Sequence, residues 1–117
     1  MKKTLELYKK EFESSSGLTP QFKNFSMTFK REFKALLKEL GAVEININKG
    51  HFYLSGFFKL KDERIYYFSL SDVRSFKGSM LIRTATDFKD YTGGSNNDIN
   101  FNEDIEENLK TFLSQNG

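Results

Sequence analysis

Apolar positions along this chain repeat at two spacings, and the change from one to the other marks out the elements. Phe22, Phe25, Phe29, Phe33, Leu36 and Leu40 recur at steps of three and four, the period of one face of an α-helix. Gly41 follows where a left-handed cap is wanted, and Thr19-Pro20 ahead of the run supplies a cap residue and a proline for the first turn. A shorter stripe of Leu5, Tyr8 and Phe12 predicts an earlier helix over 2–14, stopped by Ser14-Ser15-Ser16-Gly17. From Ala42 the period falls to two. Val43, Ile45 and Ile47 alternate with Glu44, Asn46 and Asn48, which predicts a half-buried strand.

Asn48-Lys49-Gly50 then offers a three-residue hairpin into a second strand over His51–Leu60. Phe52, Leu54, Phe58 and Leu60 form its inward set, and His51, Tyr53, Ser55, Phe57 and Lys59 the opposite one. Past the charged turn at 61–64, the strand Ile65–Ser71 turns Tyr66, Phe68 and Leu70 inward, and Met80–Ala85 does the same with Met80, Ile82 and Thr84. A short fifth strand is expected over Asp98–Phe101. Asn102 then caps a last helix, with Glu103 and Asp104 at its positive end and Ile105, Leu109, Phe112 and Leu113 as its stripe. The order helix, helix, four or five strands, helix reads as one α+β domain over 1–117, an antiparallel sheet with helices packed on one face.

The connection from Thr86 to Asp98 is long for a compact domain, and such loops are usually functional or disordered. Its composition argues for order. Phe88 and Tyr91 can anchor it, Gly93 and Gly94 can turn it back, and Arg83 at its base can pair with Asp87 or Asp90. Packing is expected of Tyr91, and presentation to a partner of Lys89, Asn96 and Asn97.

Thirteen Phe and five Tyr supply much of the core of a chain of 117 residues that has no Trp. The absence of Cys removes disulfides, thiol nucleophiles and thiolate metal sites together. No apolar stretch follows Lys2-Lys3 and no run is long enough to span a bilayer, so a cytoplasmic protein is expected. The net charge of +2 hides a polarity: residues 1–41 carry +4, 42–89 carry +3 and 90–117 carry −5. These regions can pair within the fold or present unlike faces to a partner.

Catalytic signals are weak. The lone His51 has no serine or acid motif around it, and Asp87, Asp90 and Asp98 lack the spacing of a calcium loop. Gly93-Gly94 is no nucleotide fingerprint, and no cofactor is expected. A basic stripe on the second helix, Lys23, Lys30, Lys34 and Lys38 with Arg31 beside it, is either an anion-binding row or a solubilising face. His51, Tyr53, Phe57, Tyr67 and Arg83 share the sheet face away from the helices, as either a stacking platform for single-stranded nucleic acid or a second core layer.

Three stretches, His51–Phe58, Ile65–Arg74, and Ile82–Ala85 with Asp90–Gly94, resemble small proteins carried by phages and conjugative elements of Gram-positive bacteria. The resemblance covers about the middle half of the chain and brings no catalytic residues. Inhibitors of host defence, anti-CRISPR proteins among them, come from the same genetic neighbourhood. The resemblance makes the Arg83–Asn96 segment the expected defining feature. Taken with the small size and the missing catalytic groups, it leads to the expectation of a non-enzymatic inhibitor that binds a host defence nucleoprotein in the bacterial cytoplasm, with a CRISPR RNA-guided DNA nuclease as the leading candidate. Its expected binding residues are Arg83, Asp87, Lys89, Asp90, Tyr91, Gly93, Gly94, Asn96, Asn97, Asp98, Glu103 and Asp104. The acidic end, with Glu106 and Glu107, would imitate a phosphate backbone. The alternative is a nucleic-acid-binding accessory protein of the mobile element, using Lys23, Lys30, Arg31, Lys34 and Lys38 with Tyr53 and Tyr67.

Overall fold

Strand register and helix packing follow from the two apolar periods. The computed structural model describes residues 1–9, 22–50, 53–70, 79–90 and 94–115. The elements are α1 (Lys2–Tyr8), α2 (Phe22–Glu39), β1 (Ala42–Lys49), β2 (Leu54–Leu60), β3 (Ile65–Leu70), β4 (Ser79–Ala85), β5 (Asn97–Asn100) and α3 (Ile105–Gln115). All five strands form one antiparallel sheet in the order β1-β2-β3-β4-β5, so every neighbour in the sheet is a neighbour in sequence. This is the α+β arrangement that the order of periods implies.

The core lies between one sheet face and the helices. Phe25, Phe29 and Phe33 of α2 are fully buried, and their rings run in a stacked row with centroids 6.3 and 5.0 Å apart. Phe33 meets Phe68 of β3 edge-on at 4.9 Å, and Phe58 stacks on Tyr66 at 5.4 Å. Leu54, Phe58, Leu60, Tyr66, Phe68, Leu70, Met80 and Ile82 complete the sheet side, each on the inward parity of its strand. Ile105, Leu109 and Leu113 of α3 close the other flank. Asn102 forms the turn that leads into α3, its Oδ1 accepting the Asp104 N–H at 2.9 Å and its carbonyl the Ile105 N–H at 3.0 Å. The helix itself starts at Ile105 rather than directly after Asn102, as a cap there would imply, with Glu106 and Glu107 in its first turn. Gly41 has φ +102°, and its carbonyl accepts the Lys61 N–H at 3.1 Å, tying the end of α2 to the β2–β3 turn. Arg64, in that turn, donates to the Leu113 carbonyl at 2.7 Å and to Tyr66 Oη at 2.9 Å, satisfying an open carbonyl near the end of α3.

Several boundaries differ from the sequence expectation. Asn48 and Lys49 are not a turn: they pair with Ser55 and Leu54 inside β1, and the hairpin closes through the Gly50 N–H to the Tyr53 carbonyl at 2.9 Å. Val43, expected on the inward face, is 57% exposed, because the register skips it between Ala42 and Glu44 in a bulge. Thr84 keeps inward parity opposite Tyr66 but is exposed at the end of its strand. The fifth strand begins at Asn97 and ends at Asn100, with Phe101 buried just beyond it. The proposed continuation of α1 to Ser14, Phe12, the Thr19-Pro20 cap, and His51 and Phe52 fall outside the described residues.

Two contacts fix how the layers meet. Gly56 lets β1 approach β2 closely: a Cβ there would lie 1.8 Å from the Asn46 carbonyl oxygen. Glu32 of α2 accepts from Thr4 Oγ1 at 2.6 Å, Thr4 N at 2.7 Å and Lys3 N at 3.3 Å, so one carboxylate holds the first turn of α1. Burial pushes the Glu32 carboxyl up, but the bonds from Thr4 and Lys3 outweigh it and hold the group below its ordinary 4.5.

Gly56→Ala must move backbone to fit its methyl, so a loss of about 2–3 kcal/mol in denaturant unfolding is expected. Because the Glu32 carboxyl is depressed in the fold, its contribution is complete above the unfolded-state value and is lost as pH falls through the folded one. Wild type should therefore melt well above Glu32→Gln at neutral pH. The gap should narrow as pH drops below about 5, when both are followed by thermal melts.

Candidate interaction surfaces

The sheet face away from the helices begins as a single cross-strand row. Phe57 pairs with Tyr67, and Tyr67 pairs with Arg83, so β2, β3 and β4 set three large side chains side by side on one face. The Phe57 and Tyr67 rings lie 5.1 Å apart, and the Arg83 guanidinium sits 4.3 Å from the Tyr67 centroid. Such a row could stack bases only if its rings were open. The Phe57 ring is not: it is 1% exposed although it points away from the main core, and Tyr67 is half-buried. Phe88, from the β4–β5 loop, folds over it with centroids 5.7 Å apart and planes 18° from parallel. Of the two readings of this face, the second core layer holds at Phe57, and the stacking platform is reduced to its margin. Tyr53, 44% exposed, stands at the hairpin end of the sheet.

The loop is built to keep Phe88 in place. Asp87 Oδ1 accepts the Lys89 N–H at 2.7 Å, and Asp90 Oδ2 accepts the Thr86 N–H at 2.9 Å and its hydroxyl at 3.2 Å, which closes a tight turn around Phe88. On the return side, the Gly94 N–H bonds to the Thr84 carbonyl at 3.0 Å, and Asn97 Nδ2 donates to the Ser95 carbonyl at 3.0 Å. Lys89, Asn96, Asn97 and Asp98 are exposed, as presentation to a partner requires. Tyr91 and Gly93 lie outside the described residues. The residue that sequence reasoning undervalued is Phe57: its strand parity marked it as outward, and only a distant Phe88 could reveal its burial.

Charge on the helices falls into two unequal surfaces. On α2, Lys23, Arg31, Lys34 and Lys38 are exposed and Lys30 is half-buried, and among the described residues none of the five joins an ion pair. Met27, 59% exposed, lies in the same row, so Lys23, Met27, Arg31, Lys34 and Lys38 follow one another at helical steps. Met27 is the single large apolar side chain exposed on this face, set among cations that join no ion pair within the described residues. The acidic end is partly used inside the fold. Glu103 pairs with Lys9 at 2.5 Å, which holds its carboxyl below the ordinary range, and Glu106 pairs with the Met1 amine at 3.1 Å. Asp98, Asp104 and Glu107 remain as exposed carboxylates. Here the basic front and acidic tail of the sequence meet across α1 and α3, at a cleft lined by Met1, Leu5, Lys9, Glu103, Ile105 and Glu106.

Among the described residues, no three acidic or histidine side chains are placed to hold a metal ion, and no helix is long and apolar enough to cross a membrane. No protein-family model, curated protein or solved structure matches the chain.

Phe88→Ala should uncover Phe57 and cost about 2 kcal/mol in chemical denaturation, since a half-buried ring is lost from a packed pair. It should also speed proteolytic cleavage within 86–98. A Lys89, Asn96 and Asn97 triple alanine variant should leave stability within about 0.5 kcal/mol, because these side chains are exposed.

Proposed function

We propose that the chain is a non-enzymatic binding protein that docks on a host defence nucleoprotein and blocks its access to DNA, with the RNA-guided DNA nuclease of a CRISPR system as the target. The observation that carries the docking is the outer row of α2, where cations that join no ion pair among the described residues flank the exposed Met27 on an 18-residue helix. A nucleoprotein offers both things such a row binds: phosphates for Lys23, Arg31, Lys34 and Lys38, and protein surface for Met27. The choice of a defence complex rests on the likeness of the middle strands and loop to phage and conjugative-element proteins. The exposed carboxylates Asp98, Asp104 and Glu107 supply a second, smaller contact suited to a cationic nucleic-acid channel. With Glu103 and Glu106 committed to α1, phosphate mimicry takes the lesser part.

The same row supports a second reading, direct binding of nucleic acid as an accessory protein of a mobile element. The burial of Phe57 counts against it, because among the described residues of that face stacking then falls to Tyr53 and the half-buried Tyr67.

Added to a panel of loaded RNA-guided nucleases, the purified protein should lower target cleavage and comigrate with at least one of them. Lys23→Glu with Arg31→Glu should weaken both by about tenfold with an unchanged melting temperature, in line with the loss of two charge-assisted contacts. Silence across the panel overturns the defence reading. Single-stranded DNA titrations separate the alternative: four phosphate contacts predict a roughly 50-fold loss of affinity between about 50 and 200 mM salt. Lack of binding at low salt removes it.

A further inference from the structure

The two edges of the sheet are unlike. β5 ends the sheet with four residues, whereas β1 ends it with eight, and among the described residues no strand pairs with the far side of β1. Exposed edges are normally blunted by bulges, prolines, inward charges or shortness. In β1 the bulge is confined to the Ala42/Glu44 end, and the register from Glu44 to Lys49 is regular, with no proline and no lysine before Lys49. Hydrogen-bonded pairs alternate in an antiparallel ladder. Since the Gly50 N–H bonds to the Tyr53 carbonyl, the bonded pairs continue as Asn48 with Ser55 and Asn46 with Phe57. The bond from the Leu60 N–H to the Arg64 carbonyl sets the same phase from the other side of β2. The amides and carbonyls of Ile45 and Ile47 therefore point out from the sheet edge.

Beside this edge, on the helix side, runs a shallow groove lined by Lys34, Lys38, Ala42, Val43 and Ile45. Val43 is 57% exposed there, and neither lysine is paired among the described residues. A strand added to β1 would place alternate side chains into this groove, against two cations and an apolar floor. We infer that β1 is an acceptor edge for an extended acidic segment of a partner protein, which adds as a sixth strand with its carboxylates on Lys34 and Lys38. A second copy of this chain fits less well. A two-fold axis through paired β1 strands keeps both α2 helices on one face, so Lys34 and Lys38 of both copies would line one seam. Nucleic acid would satisfy the lysines but not the alternating amides and carbonyls of Ile45 and Ile47. This inference does not depend on the partner being a defence complex; it shares Lys34 and Lys38 with the docking row of α2 but makes no use of Lys23 and Arg31, which is what tells the two apart.

The probe is an acetylated octapeptide alternating glutamate and valine, with the lysine–valine counterpart and a twelve-residue oligothymidylate as controls, each titrated into the full chain by amide NMR. The acidic peptide should shift resonances of β1 and α2 and slow hydrogen exchange at the Ile45 and Ile47 amides, while the basic peptide does nothing. Ile47→Pro removes an outward N–H without touching the ladder to β2, and should abolish binding while the rest of the sheet keeps its spectrum. Lys34→Glu with Lys38→Glu should weaken binding at least tenfold, and Lys23→Glu with Arg31→Glu by less than twofold. Absence of binding at millimolar peptide overturns the proposal. So do shifts limited to α2 with no protection of β1, equal binding of the two peptides, self-association through β1 in sedimentation, or oligothymidylate protecting the same amides.

Discussion

Everything in this molecule hangs on the row of phenylalanine rings along α2. Phe25, Phe29 and Phe33 are fully buried, and Phe33 transmits the contact to Phe68 in the middle strand of the sheet. Each such ring removes a large apolar area from water, and the ring pairs add about 0.5–1.5 kcal/mol apiece beyond burial. A core of stacked and edge-on rings also has direction, which aliphatic packing lacks. It fixes α2 against β1 and β3, and with α2 in place its opposite side, carrying Lys23, Met27, Arg31, Lys34 and Lys38, is fixed as an outward surface. The interior row and the exterior row are two sides of one helical period.

Local pattern made most of the architecture readable. The stripe of α2, the inward parity of Leu54, Phe58, Leu60, Tyr66, Phe68 and Leu70, and the Asn102 turn into α3 all depend on residues within a few positions of one another. What escaped needed partners far along the chain. Phe57 is buried by Phe88, thirty-one positions later, and Thr4 is held by Glu32 across two helices. Val43 keeps the strand alternation in sequence and leaves it in space, because a bulge changes parity without any change of composition. The candidate surfaces divide in the same way. The cation row was legible from helical spacing, but the cost of the acidic end, with Glu103 and Glu106 drawn into α1, was not.

The described parts of the β4–β5 connection, 86–90 and 94–96, show how irregular chain can be held by its own side chains. Asp87 and Asp90 bond to nearby backbone, Phe88 is pressed onto Phe57, and Gly94 returns to Thr84. The loop therefore acts as the lid of a small second core on the outer face of the sheet, and its exposed polar residues sit on a fixed base. A surface of this kind can be altered at Lys89, Asn96 or Asn97 without disturbing the packing beneath.

The simple meander of the sheet has a bearing on how the chain is made. Each strand pairs only with its neighbour in sequence, so the sheet can grow one hairpin at a time as the chain leaves the ribosome. The helix that must cover it is made first. Until β2 and β3 have emerged, the α2 phenylalanines have no sheet to lie on, and a helix with so apolar a face is prone to stick to other chains. Its reverse side carries Lys23, Arg31, Lys34 and Lys38, and like charge on neighbouring copies raises the cost of their close approach.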